Sequence, residues 1–325
     1  MVPPLAELLA TARVVRLPLR RRFRGIDVRE AMLFEGPAGW AEFSPFVEYD
    51  DAEAAAWLRA AVEAGWDEPP APVRTAVRVN ATMPAVPAED VPAVLARFPG
   101  CRTVKVKVAD AGQTLAEDVR RVHAVRAALG PEGRIRLDAN GSWSVDEAER
   151  AARALAVADL EYLEQPCASV AELAELRRRI RDLGVPVAAD ESVRKADDPL
   201  AVARAGAADL LVVKAQPLGG VRRALGLVAR AGLPVVVSSA LETSVGIAAG
   251  VRLAAALPDL DLDCGLATVA LLAEDVTAEP LLPVDGALTV RPVAADPDRL
   301  ERLRAPADRE RWWLERLERV HGLIA

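Results

Sequence analysis

The sequence predicts an α/β protein built on a closed parallel β/α barrel of the TIM-barrel kind, preceded by a separate α+β domain. From residue 75 onward, short β-branched runs alternate with helical stretches, and no dinucleotide-binding glycine motif follows the first run. Near-continuous apolar strands separated by helices are typical of a parallel sheet covered on both faces. Seven or eight such units in succession favour a closed barrel over an open sheet.

The predicted barrel strands are seven apolar runs, with an eighth, weaker candidate. The seven lie at residues 77–83, 103–108, 135–140, 159–166, 185–190, 209–214 and 235–239, and the eighth at residues 260–265. Together they form a repeat of about 25 residues, which is the length of one strand, one helix and their two connections.

The connecting helices carry start and stop signals of their own. Three capping boxes, Thr114–Glu117, Ser144–Glu147 and Ser169–Glu172, each stand a few residues after a predicted strand. In a capping box the hydroxyl accepts from the third backbone amide, while the glutamate accepts from the first. Glycines end the helical stretches at positions 130, 184, 206 and 232. The agreement of these signals with the strands supports repeated βα units.

The chain divides into three predicted parts. Residues 1–73 lack the repeat and contain an alanine-rich amphipathic helix at 51–64, so we expect an α+β domain there. Residues 74–280 hold the barrel. Residues 281–325, proline-rich and then helical, are expected to pack back on the first domain or on the barrel.

Composition narrows the functional classes. A net charge of −7 argues against nucleic acid or an anionic membrane as partner. The sequence contains no apolar run long enough to span a membrane and no signal peptide at its start. Its 3 cysteines lack CxxC spacing, which is typical of buried thiols in a reducing cytoplasm. We therefore expect a cytoplasmic protein; the sequence leaves its oligomeric state open.

Two features concern the groups that could act on a substrate. The basic cluster at residues 20–24 is either a solvated hairpin edge or a mobile site that captures an anionic substrate. Only 2 histidines exist, His123 in a helical pattern and His321 near the C-terminus. Because histidine is the usual general base, an enzyme with this sequence must move protons with another side chain.

Polar residues stand at the ends of six predicted strands, one in each βα unit. They are Lys107, Asp138, Glu164, Asp190, Lys214 and Ser239. The carboxyl ends of barrel strands surround one mouth, where barrel enzymes have their active sites. We therefore expect these six side chains to form a single site.

Three of these residues, Asp138, Glu164 and Asp190, come from successive strands and predict a metal site. Buried carboxylates held together repel each other, and a divalent cation removes that cost. Ligation by oxygen alone selects a hard ion, so Mg²⁺ is expected, with Mn²⁺ as a substitute. The other interpretation is that each acid caps a helix at a strand-to-helix turn.

Lysines are the predicted proton-transfer groups. Lys105 and Lys107 share one face of their strand, and in a barrel strand with two buried faces that face must point inward. Lys214 enters from strand six, roughly across the barrel. Two lysine positions on opposite sides of a metal provide proton transfer at both faces of a substrate. A second lysine and the metal are expected to lower the pKa of a lysine from about 10.4.

Strand three adds Arg136 and Asn140 on the same face as Asp138. These two side chains are candidates for holding substrate oxygens or for supporting the metal ligands. For Arg136, a buried structural ion pair is an equal alternative.

These motifs resemble the enolase superfamily, in its muconate-lactonising-enzyme-like branch. The matching segments are Lys105-Val-Lys107, Leu137-Asp138-Ala139-Asn140, Glu164-Gln165-Pro166, Ala189-Asp190-Glu191-Ser192, and Val213-Lys214 with Gly219-Gly220. They occur in the family's order between residues 105 and 220. The resemblance implies a modified (β/α)₇β barrel with an N-terminal capping domain, and Mg²⁺ bound by the three carboxylates.

Within that branch the sequence is most similar to the o-succinylbenzoate synthase family of menaquinone biosynthesis. The segments behind this narrower resemblance are Arg136, Ser238–Ser244 and Gly265–Thr268, of which Ser239 and Gly265 are candidates for binding substrate. The resemblance implies that Lys107 removes a proton beside a carboxylate and then protonates the departing hydroxyl on the same face. It also implies that Lys214 stabilises the ene-diolate anion and that Lys105 supports Lys107 electrostatically.

An alternative remains open within the same superfamily. Asp261-Leu-Asp263 resembles the acidic pair of dipeptide epimerases, and N-acylamino acid racemases use the same lysines. A sugar-acid dehydratase is disfavoured because the chain lacks a histidine base late in the barrel. A barrel that has lost catalysis is disfavoured because all five metal and lysine positions are filled.

Overall fold

The computed structural model describes residues 2–194 and 198–325. Its N-terminal part is a three-stranded antiparallel sheet flanked by two helices. The elements are α1 (Leu5–Thr11), β1 (Arg13–Phe23), β2 (Ile26–Gly36), β3 (Gly39–Phe43) and α2 (Asp51–Trp66). An α+β arrangement was predicted for this part, including the alanine-rich helix. We call this part the capping domain.

The following strands and helices alternate along the chain. The strands are β4 (Ala76–Arg78), β5 (Ala81–Met83), β6 (Thr103–Lys107), β7 (Arg134–Asp138), β8 (Leu160–Glu164), β9 (Val187–Ala189), β10 (Leu210–Val213), β11 (Val235–Val237) and β12 (Ala287–Thr289). The helices are α3 (Val91–Leu95), α4 (Leu115–Leu129), α5 (Val145–Leu155), α6 (Val170–Arg179), α7 (Glu191–Arg194), α8 (Ala201–Arg204), α9 (Val221–Ala231), α10 (Ser244–Ala256), α11 (Pro297–Arg302) and α12 (Ala307–His321).

Strands β5 to β11 form one parallel sheet in sequential order. Its two edges are joined through the predicted eighth strand, which is reduced to two isolated parallel bridges. Cys264 pairs with Val79 beside the first strand, and Gly265 pairs with Ser238 after the last. The backbone amide of Gly265 donates to the carbonyl of Val237 at 2.8 Å. The weak eighth run thus connects the two edges without forming a regular strand.

The first predicted strand, residues 77–83, is corrected by the structure, because it is two strands. β4 leaves the barrel and pairs antiparallel with β12, whereas β5 pairs parallel with β6. The change occurs at Val79 and Asn80, whose amides donate to Gly286 and Cys264. A short apolar run cannot reveal that its two halves have different partners, because its pattern is compatible with either pairing.

The helix signals are confirmed. Each of the three predicted capping boxes forms, with both the hydroxyl and the glutamate bonded to backbone amides. Gly130, Gly184, Gly206 and Gly232 all adopt positive φ angles, between 58° and 73°. These short connections place the polar residue at the end of each strand at one mouth of the barrel.

The C-terminal segment packs on the capping domain, through α12. Trp313, Leu317 and Val320 are fully buried in one apolar cluster with β2, β3 and α2. The indole of Trp313 donates to Glu30 at 2.9 Å and meets the ring of Phe43 edge-on at 5.8 Å. The exact boundaries after residues 73 and 280 stay a prediction.

Among the helices of the described residues, none is long and apolar enough to cross a membrane.

Replacing Trp313 by alanine should destabilise the fold by about 3–5 kcal/mol, because it empties the cluster shared by α12 and the capping domain. Urea denaturation measures this loss. Leu323→Ala is the control, since Leu323 is 53% exposed and its truncation is expected to change the free energy of unfolding by at most about 0.5 kcal/mol. Equal effects of the two substitutions would show that α12 does not complete this core.

Candidate active site

The mouth of the barrel contains a buried network of lysines and carboxylates. Lys105 Nζ lies 2.7 Å from Glu164 Oε1 and 3.0 Å from Asp138 Oδ2. The three residues come from β6, β7 and β8, which are consecutive strands in the sheet. Their side chains are almost fully buried, so each charge depends on its partners for stabilisation.

Lys107 lies one layer nearer to solvent. Its ammonium contacts Asp138 Oδ2 at 2.5 Å and donates to Asn140 Oδ1 at 2.7 Å. Asn140 in turn donates its backbone amide to Asp138 Oδ1 and its side-chain amide to Glu191. The ring of Phe23, from the capping domain, lies 5.4 Å from Lys107 Nζ. Lys107 therefore faces the space between the two domains.

Asp190 is held by cations on both of its oxygens. Lys214 Nζ donates to Oδ2, and Arg194 Nε donates to Oδ1 at 3.1 Å. Arg194 also bonds Glu191 at 2.7 Å and the hydroxyl of Tyr49 at 3.2 Å. Through Arg194, the capping domain is connected to the predicted metal ligand.

The electrostatics differ between the two lysines of β6. Burial disfavours the charge on Lys105, but Asp138 and Glu164 outweigh it and raise the pKa of Lys105 well above its usual value. Burial lowers the pKa of Lys107, and the neighbouring Lys105 ammonium acts in the same direction against the attraction of Asp138. Lys107 is thus the lysine of this pair that loses its proton more readily.

The pKa values of the three carboxyl groups also shift in different directions. Burial and the nearby Asp138 raise the pKa of Glu164 to about 7. Burial also opposes the charge of Asp190, but Lys214 and Arg194 outweigh it and hold its pKa at about 2. The two lysines of β6 likewise overcome burial and keep the pKa of Asp138 well below its usual value.

Three non-glycine residues at the mouth of the barrel have a strained backbone conformation. Ala109, Asn140 and Gln165, each one or two residues after a strand, have φ angles of 59°, 47° and 38°. Non-glycine residues rarely adopt this left-handed conformation, and such strain concentrates at functional sites. At Gln165 the strain is offset by hydrogen bonds, because Oε1 accepts from the amides of Asp190 and Ser192.

Ser239 and Gly265 lie together on the other side of the mouth. The hydroxyl of Ser239 donates to the Gly265 carbonyl at 2.6 Å and contacts Thr268 Oγ1 at 2.9 Å. Gly265 is packed so closely that a Cβ there would lie 2.5 Å from Ser238 Oγ. The structure therefore brings these two predicted substrate-binding residues together.

Arg136 lies deeper in the barrel than the three predicted metal ligands. Its guanidinium bonds Glu161 at 2.5 Å, Asn80 at 2.9 Å and the Asp263 carbonyl, and it lies 4.8 Å from the ring centre of Tyr162. Arg136 is fully buried. The geometry corresponds to the structural alternative that the sequence left open for Arg136.

Asp263 lies at the opposite end of the barrel from the mouth. Its carboxylate accepts from Arg78 Nε at 2.8 Å and from the hydroxyl of Thr103, the first residue of β6, at 2.7 Å. Asp263, one of the acidic pair that resembles a dipeptide epimerase, therefore does not lie among the lysines of the mouth.

A cavity of about 680 Å³ separates the β1–β2 hairpin from the barrel mouth. Its lining includes Arg22, Phe23 and Arg24 from the hairpin and Lys107 and Asn140 from the barrel. The arginine cluster thus borders the space that Lys107 faces.

Ser44, which directly follows β3, is fully buried. Its hydroxyl donates to Glu42 at 2.5 Å, and its amide donates to Gln216 at 3.3 Å.

The donor set fits a hard divalent cation, although it is not arranged as a finished site. Within residues 2–194 and 198–325, no three His, Cys, Asp or Glu side chains stand close enough together to hold a metal. The lysine ammoniums lie between the carboxylates. The buried Oε2 atom of Glu164 has no hydrogen-bond partner among the described residues, as expected of a ligand oxygen. Three buried carboxylates with such an atom suit Mg²⁺.

Comparisons with known proteins identify the family. Residues 90–297 match the family model for the enolase C-terminal domain-like fold, and residues 14–65 match the enolase N-terminal domain-like model. Over 325 residues the chain is 58% identical to the o-succinylbenzoate synthase of Mycobacterium tuberculosis, covering 100% of this chain and 98% of that one. The corresponding protein of Mycolicibacterium smegmatis is 57% identical over 324 residues, 99% of each chain. The chain belongs to the o-succinylbenzoate synthase family.

Membership of the o-succinylbenzoate synthase family confirms the predicted resemblance and the prediction of a carbon–oxygen lyase. Solved structures confirm the fold. Muconate lactonizing enzyme from Pseudomonas fluorescens superposes with a TM-score of 0.77 at 21% identity, covering 91% of this chain and 98% of that one. For 2-chloromuconate cycloisomerase from Rhodococcus opacus 1CP the TM-score is 0.75 at 25% identity, with the same coverage.

Sequence reasoning assigned no role to two residues that organise this candidate site. Arg194 stands four residues after Asp190, and that spacing on one helical turn could have identified it as a partner. Tyr49 carried no signal, because its contact with Arg194 depends on how the capping domain is docked.

Gly265→Ala is expected to destabilise the protein by about 1–3 kcal/mol, because the added methyl group overlaps Ser238 where the sheet edges join. Gly226→Ala is the matched control. Gly226 lies inside α9, and a Cβ added there would have nothing within 4 Å, so alanine should be neutral or slightly stabilising. Guanidinium denaturation of both variants tests this, and similar midpoints would contradict the tight packing at Gly265.

Proposed function

We propose that this chain is a Mg²⁺-dependent o-succinylbenzoate synthase acting in menaquinone biosynthesis. Its substrate is 2-succinyl-6-hydroxy-2,4-cyclohexadiene-1-carboxylate, a small-molecule carboxylate that loses water to become aromatic. The observation that carries the proposal is the placement of Lys107. This lysine has a lowered pKa, borders the cavity between the domains and adjoins the buried carboxylates.

Asp138, Glu164 and Asp190 are the residues proposed to hold the metal, with Mn²⁺ as a possible substitute. When bound, the cation neutralises the substrate carboxylate and stabilises the negative charge that develops on it. Metal dependence is a property of enolase-superfamily enzymes, and the all-oxygen, buried donor set of this chain supports it.

Lys107 is proposed as the acid–base group. In its neutral form it removes the proton next to the carboxylate, which leaves an anion on the ring. The resulting ammonium then protonates the hydroxyl on the same face, the carbon–oxygen bond breaks, and water leaves. One lysine can serve both steps because proton and hydroxyl leave from the same side. The hydrogen bond that Lys107 Nζ donates to Asn140 Oδ1 fixes the direction of Nζ.

The other two lysines have supporting roles in this proposal. Lys214 approaches from β10, across the barrel from β6, and stabilises the anion as a cation over the π system. Lys105, fully paired with Asp138 and Glu164, keeps its charge and makes the neutral form of Lys107 more accessible.

The succinyl side chain is proposed to lie between the hairpin and the far side of the mouth. Ser239 and the Gly265 backbone offer polar contacts there, and Arg22 and Arg24 add positive charge on the cavity wall. A second carboxylate on the substrate is complementary to those arginines.

Lys107→Ala is expected to abolish dehydration while the protein stays folded, because no other lysine among the described residues borders the cavity. The measurement is the absorbance change on mixing enzyme, Mg²⁺ and the cyclohexadiene substrate, with EDTA as a control. Calorimetry with Mg²⁺ should still detect metal binding by the variant.

Two outcomes would change this assignment. Full activity of the Lys107 variant would remove Lys107 from the reaction. Absence of turnover by the native protein, together with deuterium uptake into dipeptides or N-acylamino acids, would favour the racemase or epimerase alternative.

The Lys105→Met variant tests whether the Lys105 ammonium and Mg²⁺ compete for the carboxylates of Asp138 and Glu164. Removing the buried cation leaves Asp138 and Glu164 underpaired, so in EDTA the free energy of unfolding should fall by about 3–5 kcal/mol. Saturating Mg²⁺ should raise the thermal midpoint more in the variant than in the native protein, by mass action on a site with fewer competing cations. An identical shift in the two proteins would show that Mg²⁺ does not bind beside Lys105.

A further inference from the structure

The barrel helices begin in two different ways. Helices α4, α5 and α6 carry capping boxes built from their own first residues. Helix α9 begins after Gly220, which has no side chain to offer, and α10 has a glycine, Gly246, at the position where a capping box places its glutamate. At α10 the hydroxyl of Thr243 accepts from the amide of Val245 at 3.2 Å, but the amides of Thr243 and Gly246 have no acceptor of that kind. These amides, and those of the first turn of α9, need acceptors from elsewhere.

The capping domain supplies the missing acceptor at α9. Glu63, near the end of α2, accepts from the backbone amide of Arg222 at 3.1 Å. A Cβ on Gly220 would overlap the Glu63 carboxylate, and Gly220 has a φ of 119°. Only glycine therefore allows the carboxylate to reach this helix end. Arg222 also donates to the Glu68 carbonyl, which adds a second contact to the same part of the capping domain.

A second glutamate of the capping domain does the same at α10. Glu42, in β3, accepts from the amide of Thr243 at 3.0 Å, from its hydroxyl at 2.5 Å and from the amide of Gly246 at 3.2 Å. A Cβ on Gly246 would lie 2.8 Å from Glu42 Cδ. Both helices thus combine a glycine on the barrel with a glutamate on the other domain.

These two helix ends lie directly behind the mouth. Lys214 is six residues before Gly220 in the chain, and the carbonyl of Ala215 accepts from the Gly220 amide at 2.9 Å. Ser239 precedes Thr243 by four residues, in a loop that contains Leu241 at a φ of 66°. An anchor at Gly220 or Thr243 therefore limits where Lys214 or Ser239 can move.

We infer that Glu63 and Glu42 are positioning residues, through which the capping domain fixes the half of the mouth that carries Lys214 and Ser239. This inference rests on the proposed function for its kinetic consequences. The structural part, that the first turns of α9 and α10 are held by the other domain, is independent of which reaction the enzyme catalyses.

The test compares Glu63→Ala with Glu172→Ala. Glu172 belongs to the capping box of α6, so its loss removes a similar cap from within the barrel. The segment before α6 keeps a separate anchor, because Gln165 is bonded to Asp190, Ser192 and Cys167. Both variants should lower the thermal midpoint by similar amounts.

Only Glu63→Ala should alter the mouth. Amide hydrogen exchange in residues 214–223 is expected to accelerate by at least about fivefold, and kcat for dehydration to fall by a similar factor with little change in KM. Glu63→Gln keeps a neutral acceptor, so its effects on exchange and on kcat should be smaller than those of Glu63→Ala. It also provides a milder variant if the alanine protein does not fold.

Each result has one interpretation. Faster exchange in residues 214–223 with reduced kcat in the Glu63 variants alone supports the inference. Unchanged exchange there, or kinetics equal to those of Glu172→Ala, overturns it. If the native protein does not dehydrate the proposed substrate, the exchange measurement still decides the positioning role, so the two proposals fail separately.

Discussion

The structure depends on keeping a set of buried charges balanced at the mouth of the barrel. Three carboxylates and three lysines meet there, and an unpaired charge at such depth would cost several kcal/mol. A divalent cation and a substrate with two carboxylates together carry no net charge. In the proposed reaction they can therefore enter without upsetting this balance. The lysine that must become neutral is Lys107, at the rim of the network, where its pKa is already lowered.

Below the mouth a second polar layer closes the barrel. Arg136, paired with Glu161 and Asn80, lies beneath the three carboxylates of the mouth. The sheet register shifts between Ile135 and Arg136, in the pairing of β7 with β8, and this irregularity occurs beside the Arg136–Glu161 pair. A buried ion pair of this kind contributes little net stability, but its geometry connects β7 to β8. Here it supports the strands that carry Asp138 and Glu164.

Much of the fold could be predicted because the signals were local. Capping boxes and apolar runs each depend on neighbouring residues, and the carboxylates and lysines at the strand ends follow from the βα repeat. What could not be predicted depended on partners far apart in the chain. Nothing in residues 77–83 shows that β4 pairs with β12, and strand periodicity gives the face of Arg136 but not its depth. Asp263 resembled an epimerase residue, but its position depended on how the sheet edges join.

The capping domain solves a problem that the barrel cannot solve alone. A barrel that binds substrate at an open mouth needs a cover, and Phe23 and the hairpin arginines provide one over Lys107. A cover works only if its position relative to the strand ends is fixed. Apolar packing alone could let two surfaces slide, because it has little directionality. Carboxylates bonded to helix amides are directional, and Glu42 and Glu63 meet the barrel at two separate helix ends. Two such contacts at separate points restrict both the sliding and the rotation of the cover.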